Sequence, residues 1–85
     1  MVWKIIIDPA VNKTLKKIPK TDSIHIQEAI DEMIVNPHWG DVQNISGQTN
    51  IWRKRIGAYR IFYEIRLSIK IIHIFKLERR ASTTY

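Results

Sequence analysis

From Ile51 onward the chain is patterned in twos. Ile51–Ile56, Tyr59–Arg66 and Ile69–Leu77 are runs rich in β-branched and aromatic residues, and Gly57-Ala58 and Leu67-Ser68 part them. Breaks of this length suit tight turns, so three consecutive antiparallel strands are expected. The third run is nearly continuous in apolar residues (Ile69, Ile71, Ile72, Ile74, Phe75). That predicts a central strand buried on both faces for part of its length. A meander of this kind has an apolar face to cover, and the rest of the chain must cover it.

The first half supplies the cover. Val2–Ile7 reads as a strand closed by Asp8-Pro9, because proline cannot continue a ladder and often opens a helix. Val11, Leu15 and Ile18 recur at helical spacing with Lys13, Lys16 and Lys17 on the other side, and Pro19 ends this first helix. Thr21-Asp22-Ser23 offers N-cap oxygens to a second helix. Its apolar side is expected to carry Ile24, Ala29 or Ile30, Met33 and Ile34, and Asn36-Pro37 stops it. Residues 38–50 read as a turn-rich loop, and Glu78–Tyr85 as a polar tail. The expected fold is α+β, in the order β-α-α-β-β-β. A two-helix hairpin packs on one face of a mainly antiparallel four-stranded sheet, as a single domain over residues 1–85.

With 85 residues and no cysteine, the chain lacks disulfides, thiolate metal sites and a cysteine nucleophile. A domain this small holds its site in a shallow groove or on a sheet face. No apolar run is long enough to span a membrane and no signal segment is legible, so a cytoplasmic protein is expected. The net charge of +6 is uneven. Residues 51–85 carry nine Lys and Arg against only Glu64 and Glu78. That asymmetry favours a polyanionic partner.

Alternation assigns faces. Arg53 and Arg55 share one side of their strand, Trp52 and Ile56 the other, with Lys54 reaching past an edge. On the next strand Arg60, Phe62, Glu64 and Arg66 oppose Tyr59, Ile61, Tyr63 and Ile65. If the apolar sides meet the helices, Arg53, Arg55 and Arg60 gather on the uncovered face. Arg79 and Arg80 fall within reach at the end of the following strand. Surface ion pairs contribute little to stability, so such a cluster reads as an anion site. Arginine suits phosphate because it is planar, bidentate and permanently charged. Phe62, Tyr85 or Trp39 at its edge could stack on bases. Trp3, Trp52, Tyr59 and Tyr63 are expected in the core.

Other chemistry finds no support. His25, His38 and His73 are scattered without metal-ligand spacing, so no metal or other cofactor is expected. His73 reads as a packed strand residue, His25 as helix surface, and His38 as a loop residue that could approach the basic face. No glycine-rich phosphate loop and no carboxylate pair in the basic half are present, and Asp41 reads as a loop cap.

Trp52-Arg53-Lys54-Arg55-Ile56-Gly57-Ala58-Tyr59-Arg60-Ile61-Phe62-Tyr63-Glu64-Ile65 resembles the RelE/ParE toxin superfamily of prokaryotic toxin–antitoxin modules, at every fixed position of its W-R-x-R-φ-G-x-Y-R-φ-φ-Y-x-φ pattern (φ, apolar). Asn36-Pro37, Gly40-Asp41-Val42 and the stretch Phe75–Arg80 with Tyr85 extend the likeness over essentially the whole chain. The resemblance to RelE-like members implies a ribosome-dependent endoribonuclease that cuts mRNA in the A site. It implies that Arg53 and Arg55 hold the backbone and act in proton transfer, and that Arg60 stabilises the phosphate. Of the C-terminal pair, counting from the strand end favours Arg80, whereas counting back from Tyr85 gives Arg79. Tyr85 matches a tyrosine that stacks on a base or assists the reaction. Many relatives carry a histidine before the arginine pair, where this chain has Glu78 or Arg79. Lys54, Arg66, Lys76, Arg79 and Phe62 are further candidates for RNA contact. The implied partners are the ribosome with its mRNA and an acidic, partly disordered antitoxin, with no membrane and no small-molecule cofactor. Two other readings remain open: a ParE-like inhibitor of DNA gyrase, and an RNA-binding module without catalysis.

Overall fold

The computed structural model describes residues 3–45, 47 and 49–80. In chain order its elements are β1 (Lys4–Ile7), α1 (Pro9–Lys17), α2 (Lys20–Met33), β2 (Val42–Asn44), β3 (Ile51–Ile56), β4 (Tyr59–Arg66) and β5 (Ile71–Arg79). A single 3-10 turn over Leu67–Ile69 precedes β5. The strands form one sheet of five in the order β1-β5-β4-β3-β2. Only β1 is parallel to its neighbour, β5. The α+β architecture is the expected one, with a fifth strand added. That strand, β2, lies inside the stretch read as loop and pairs Val42 with Lys54, Gln43 with Arg53 and Asn44 with Trp52.

Local chemistry explains the helix boundaries. The Asp8 carboxylate accepts from the Ala10 amide at 2.9 Å, Pro9 occupies the first turn, and Lys16 and Lys17 face the carbonyl end of α1. The second helix starts earlier than expected, with Pro19 at the N-cap and no side-chain cap. Thr21, Asp22 and Ser23 therefore lie within its first turn. Asp22 instead accepts a 2.9 Å hydrogen bond from the Tyr59 hydroxyl. That bond, more than burial, raises the tyrosine pKa, and Asp22's charge adds to it while Arg79 opposes.

Both helices lie on one face of the sheet. Val11 and Leu15 of α1 and Ile26, Ile30 and Met33 of α2 meet Tyr59, Ile61, Tyr63 and Ile65 of β4 and Ile72, Ile74 and Leu77 of β5. Trp3 and Trp52 pack at the rim of this core. Ile24, expected inward, is exposed because the true apolar stripe of α2 runs through Ile26, Ile30 and Met33. On β5, Ile72 and Ile74 are fully buried, while Ile71, His73 and Phe75 on the other face are half-covered. Ile69 belongs to the exposed turn, not to the strand.

Two details set the register. The β3–β4 hairpin closes with Ile56 opposite Tyr59, and Gly57 carries a φ of +57°. A two-residue turn of this hand needs a positive φ at its first central residue. Between β4 and β5 the register slips at Phe62/Tyr63: Lys76 faces Phe62, but Ile74 faces Tyr63. Phe75 is the extra residue, a bulge that inverts the alternation beyond it.

Tyr63 is wholly buried and donates to the Pro37 carbonyl at 2.7 Å, and burial pushes its pKa up. Tyr63→Phe leaves that carbonyl without its partner and should cost about 1–3 kcal/mol. Urea unfolding measures this. A loss near zero would mean that water replaces the hydroxyl.

Candidate nucleic-acid interface

The face opposite the helices is a small grid. Pairing across β3, β4 and β5 places Arg53, Phe62 and Lys76 in one row, and Arg55, Arg60 and Glu78 in the next. Directly opposed residues share a face, so all six side chains belong to the uncovered one. Arg80 continues it beyond Glu78. Its amide donates to the Ala58 carbonyl at 2.7 Å and its guanidinium to the Gly57 carbonyl at 3.2 Å, which ties the end of β5 to the β3–β4 turn.

Each guanidinium has a distinct setting. Arg53 donates to the Gln43 side chain of β2. Arg55 is half-exposed and 3.7 Å from Asp41, while its amide donates to the Asp41 carbonyl. Arg60 lies 3.1 Å from Glu78, whose second oxygen is 3.5 Å from Lys76. The Arg60 Nε is buried and has no acceptor among the described residues. The Lys76 ammonium also stands 5.1 Å from the centre of the Phe62 ring, which packs beside Phe75. The Phe62 ring thus lies on the open face with a positive charge over it.

Several expected contributors lie elsewhere. Lys54 does not reach past an edge: it alternates onto the helix-covered face, level with Val42 and Ile61, and is only 4% exposed. Its stem passes so close to Gly40 that a β-carbon there would sit 3.3 Å from Lys54 Cε. The Lys54 Nζ has no hydrogen-bond partner among the described residues. Burial lowers its pKa, against the opposing charge of Glu32. Arg79 pairs with Tyr59 and so turns to the helix side. Arg66 is on the open face but ion-paired with Glu64 at 3.0 Å, roughly 20 Å along β4 from Arg60 at strand rise. Trp39 lines a surface groove with Glu32, Val35 and Asn36 at the end of α2, apart from the arginines. His38 packs edge-on to Trp52 with ring centres 4.9 Å apart, and Trp52 faces the core. His73 approaches Asp8 at 4.0 Å near β1. Tyr85 lies outside the described residues.

The residue types alone gave little warning of Gln43, Asp41 and Glu78 as partners of the arginines. Glu78 was legible as one of two carboxylates in the basic half and as a departure from the histidine of the resembled family. Among the described residues no three His, Cys, Asp or Glu side chains gather to hold a metal ion, and no helix is long and apolar enough to cross a membrane. Chemically, the grid can hold a phosphodiester by several fixed positive charges and set a base against an aromatic ring.

Comparison with known proteins finds relatives of this chain and of its fold. The family described as the ParE toxin of type II toxin–antitoxin systems (parDE) matches residues 5–83. The protein named RelE1 in Methanocaldococcus jannaschii is 30% identical over 83 residues, covering 94% of this chain and 92% of that one. A chain of the archaeal RelE–RelB complex from Pyrococcus horikoshii superposes with a TM-score of 0.86 at 28% identity, over 98% of this chain and all of that one. The isolated E. coli RelE toxin shares the fold, with a TM-score of 0.81 at 12% identity, over 95% of this chain and 87% of that one.

Proposed function

Because the chain belongs to the RelE/ParE family of type II toxins, we propose that it is a ribosome-dependent endoribonuclease that cuts mRNA in the A site. The observation that carries this reading is the gathering of Arg53, Arg55, Arg60 and Arg80 on one open sheet face around Phe62 and Lys76. A protein that only wedges against another protein has no need of such an anion grid, which opposes the gyrase reading.

The reaction needs no nucleophile from the protein. The RNA 2′-hydroxyl attacks the adjacent phosphorus, the bond to the 5′-oxygen breaks, and the products are a cyclic 2′,3′-phosphate and a free 5′-hydroxyl. The protein must align the attack and stabilise the added negative charge on the phosphate oxygens. Arg60 and Arg80 are assigned to that charge, Arg53 and Arg55 to the neighbouring phosphates, and Phe62, with Lys76 beside it, to a splayed base. Tyr85 is assigned to stacking on a base at the cut. Contacts from the ribosome complete the alignment, so free RNA is a poor substrate.

An antitoxin partner follows from the same membership. The Pyrococcus horikoshii relative is seen with RelB, and an acidic, partly disordered segment suits the basic grid of this chain. Covering Arg60 and Arg80 would silence the toxin.

The test is cleavage of mRNA on programmed ribosomes by the purified protein, with primer extension after brief induction in cells. Expected are in-frame cuts confined to translated regions, with 5′-hydroxyl ends. Absence of cleavage on ribosomes overturns the proposal. DNA-damage signalling ahead of translation arrest would point to gyrase, and salt-sensitive binding without cut ends to an RNA-binding module.

A further inference from the structure

We propose that Glu78 is the general base, the group that takes the proton from the attacking 2′-hydroxyl. The inference rests on the nuclease reading above and supplies the step that the arginines cannot. A guanidinium stays protonated at any physiological pH and has no lone pair to offer. A grid made only of Arg53, Arg55, Arg60 and Arg80 can hold a phosphate yet cannot accept a proton.

Among the described residues few groups on this face can. Glu64 is held by Arg66 at the far end of β4, and His73 stands beside Asp8 at the β1 side. Asp41 is at the rim, 3.7 Å from Arg55, on the β2 side of the sheet. Among the described residues Glu78 alone sits in the row with Arg55 and Arg60, 3.1 Å from the Arg60 guanidinium. Its oxygens are divided between two cations: one meets Arg60, the other Lys76 at 3.5 Å. The charges around it are Arg60 from β4, Lys76 from its own strand, Arg80 just past that strand's end, and Arg55 one strand further on.

This arrangement puts a base beside the phosphate site rather than in it. Arg60 meets Glu78 through one terminal nitrogen. A phosphate oxygen taking another donor of the same guanidinium would come to lie next to the Glu78 carboxylate. A 2′-hydroxyl on the neighbouring ribose is then within reach of that carboxylate. The proton moves to Glu78 as the O2′–P bond forms. The P–O5′ bond breaks, the 5′-oxygen takes a proton from water, and Glu78 returns its own proton to solvent. No oxidant, reductant or second substrate is involved.

The test is single-turnover cleavage on programmed ribosomes with the protein in excess, for wild type, Glu78→Gln and Glu78→Asp. Glu78→Gln should lower the rate by about 10²–10⁴-fold, the usual contribution of a general base. Its binding to mRNA-loaded ribosomes should be unchanged or tighter, because a negative charge has been removed. In wild type the log rate should rise with pH on the acid side, and that limb should vanish in Glu78→Gln. Glu78→Asp keeps the carboxylate on a shorter stem and should keep the limb at a reduced rate. If Glu78→Gln does not fold, Glu78→Asp decides: an unchanged rate overturns the proposal. A folded Glu78→Gln that cuts within a few-fold of wild type with the same pH profile also overturns it. One that cuts faster shows that Glu78 merely occupies Arg60 until RNA displaces it, which overturns it too. If wild type itself does not cut, the nuclease reading fails; if wild type and Glu78→Gln cut alike, only the role of Glu78 fails.

Discussion

Arg60→Ala should lower ribosome-dependent cleavage by about 10²–10³-fold, the size of effect seen when one preorganised donor to a developing oxyanion is removed. Arg60 is the central guanidinium of the grid, with Arg55 on one side and Glu78 on the other. Its backbone is fixed by pairing on both edges, so the side chain can be deleted without moving the site. Stability should hardly change. The Arg60–Glu78 pair is about one-third exposed on each side, and Glu78 keeps Lys76 as a partner at 3.5 Å. A pair of this kind contributes about 1 kcal/mol or less. Arg60→Lys should remain impaired, since an ammonium lacks the planar fork that grips two oxygens. The measurements are cleavage on ribosomes and urea unfolding of the same preparations. A folded Arg60→Ala protein that still cuts at the wild-type rate would remove the grid from the reaction.

Lys54→Met should stabilise the protein by about 1–3 kcal/mol at neutral pH, the cost of an unpaired polar group held away from water. In a domain of this size each kcal/mol moves the melting temperature by roughly 4–8 °C. The Lys54 ammonium is buried without a partner among the described residues, and methionine fills the space of its stem. The pH dependence has a definite sign. Burial lowers the folded-state pKa below the ordinary 10.5, so the unfolded chain binds more protons between the two values. Stability of the wild type therefore rises with pH across that window, and the advantage of Lys54→Met shrinks across it. Tyr59 and Tyr63 act in the opposite direction: their raised pKa values protect the fold below about 10 and the protection is lost as each ionises. Melting curves of both proteins between about pH 7 and pH 9.5 isolate the lysine. A destabilised Lys54→Met protein would mean that the amine finds a partner in solution.

Much of this site was legible because it rests on a hairpin with a two-residue turn. Once Gly57-Ala58 fixes the register, Arg53, Arg55 and Arg60 must share a face, and the apolar parity of β4 says which one. The helices were legible in existence but not at their edges. Pro19 starts α2 without any side-chain cap, so the cap-like Thr21-Asp22-Ser23 misleads. β2 left no signal because three residues at a sheet edge are too few to show alternation. Lys54 was misjudged because a charged residue was assumed to seek water, whereas its neighbours in the ladder, Val42 and Ile61, fix the direction of its side chain.

The bulge at Phe75 decides which residues at the end of β5 lie on the open face of the sheet. Counted from the buried Ile72 and Ile74, an unbroken strand would send positions 76, 78 and 80 into the helices and leave Arg79 outside. The supernumerary phenylalanine exchanges the two sets, so that Lys76, Glu78 and Arg80 look outward and Leu77 seals the core. One backbone step therefore acts as a phase shifter. Upstream of it the strand keeps the odd numbers for the surface, and downstream it keeps the even ones. Deleting Phe75 would set Lys76 directly after Ile74 and restore a regular ladder with Lys76, Glu78 and Arg80 still outward, so the deletion would remove the bulge and leave the grid's side chains on their face.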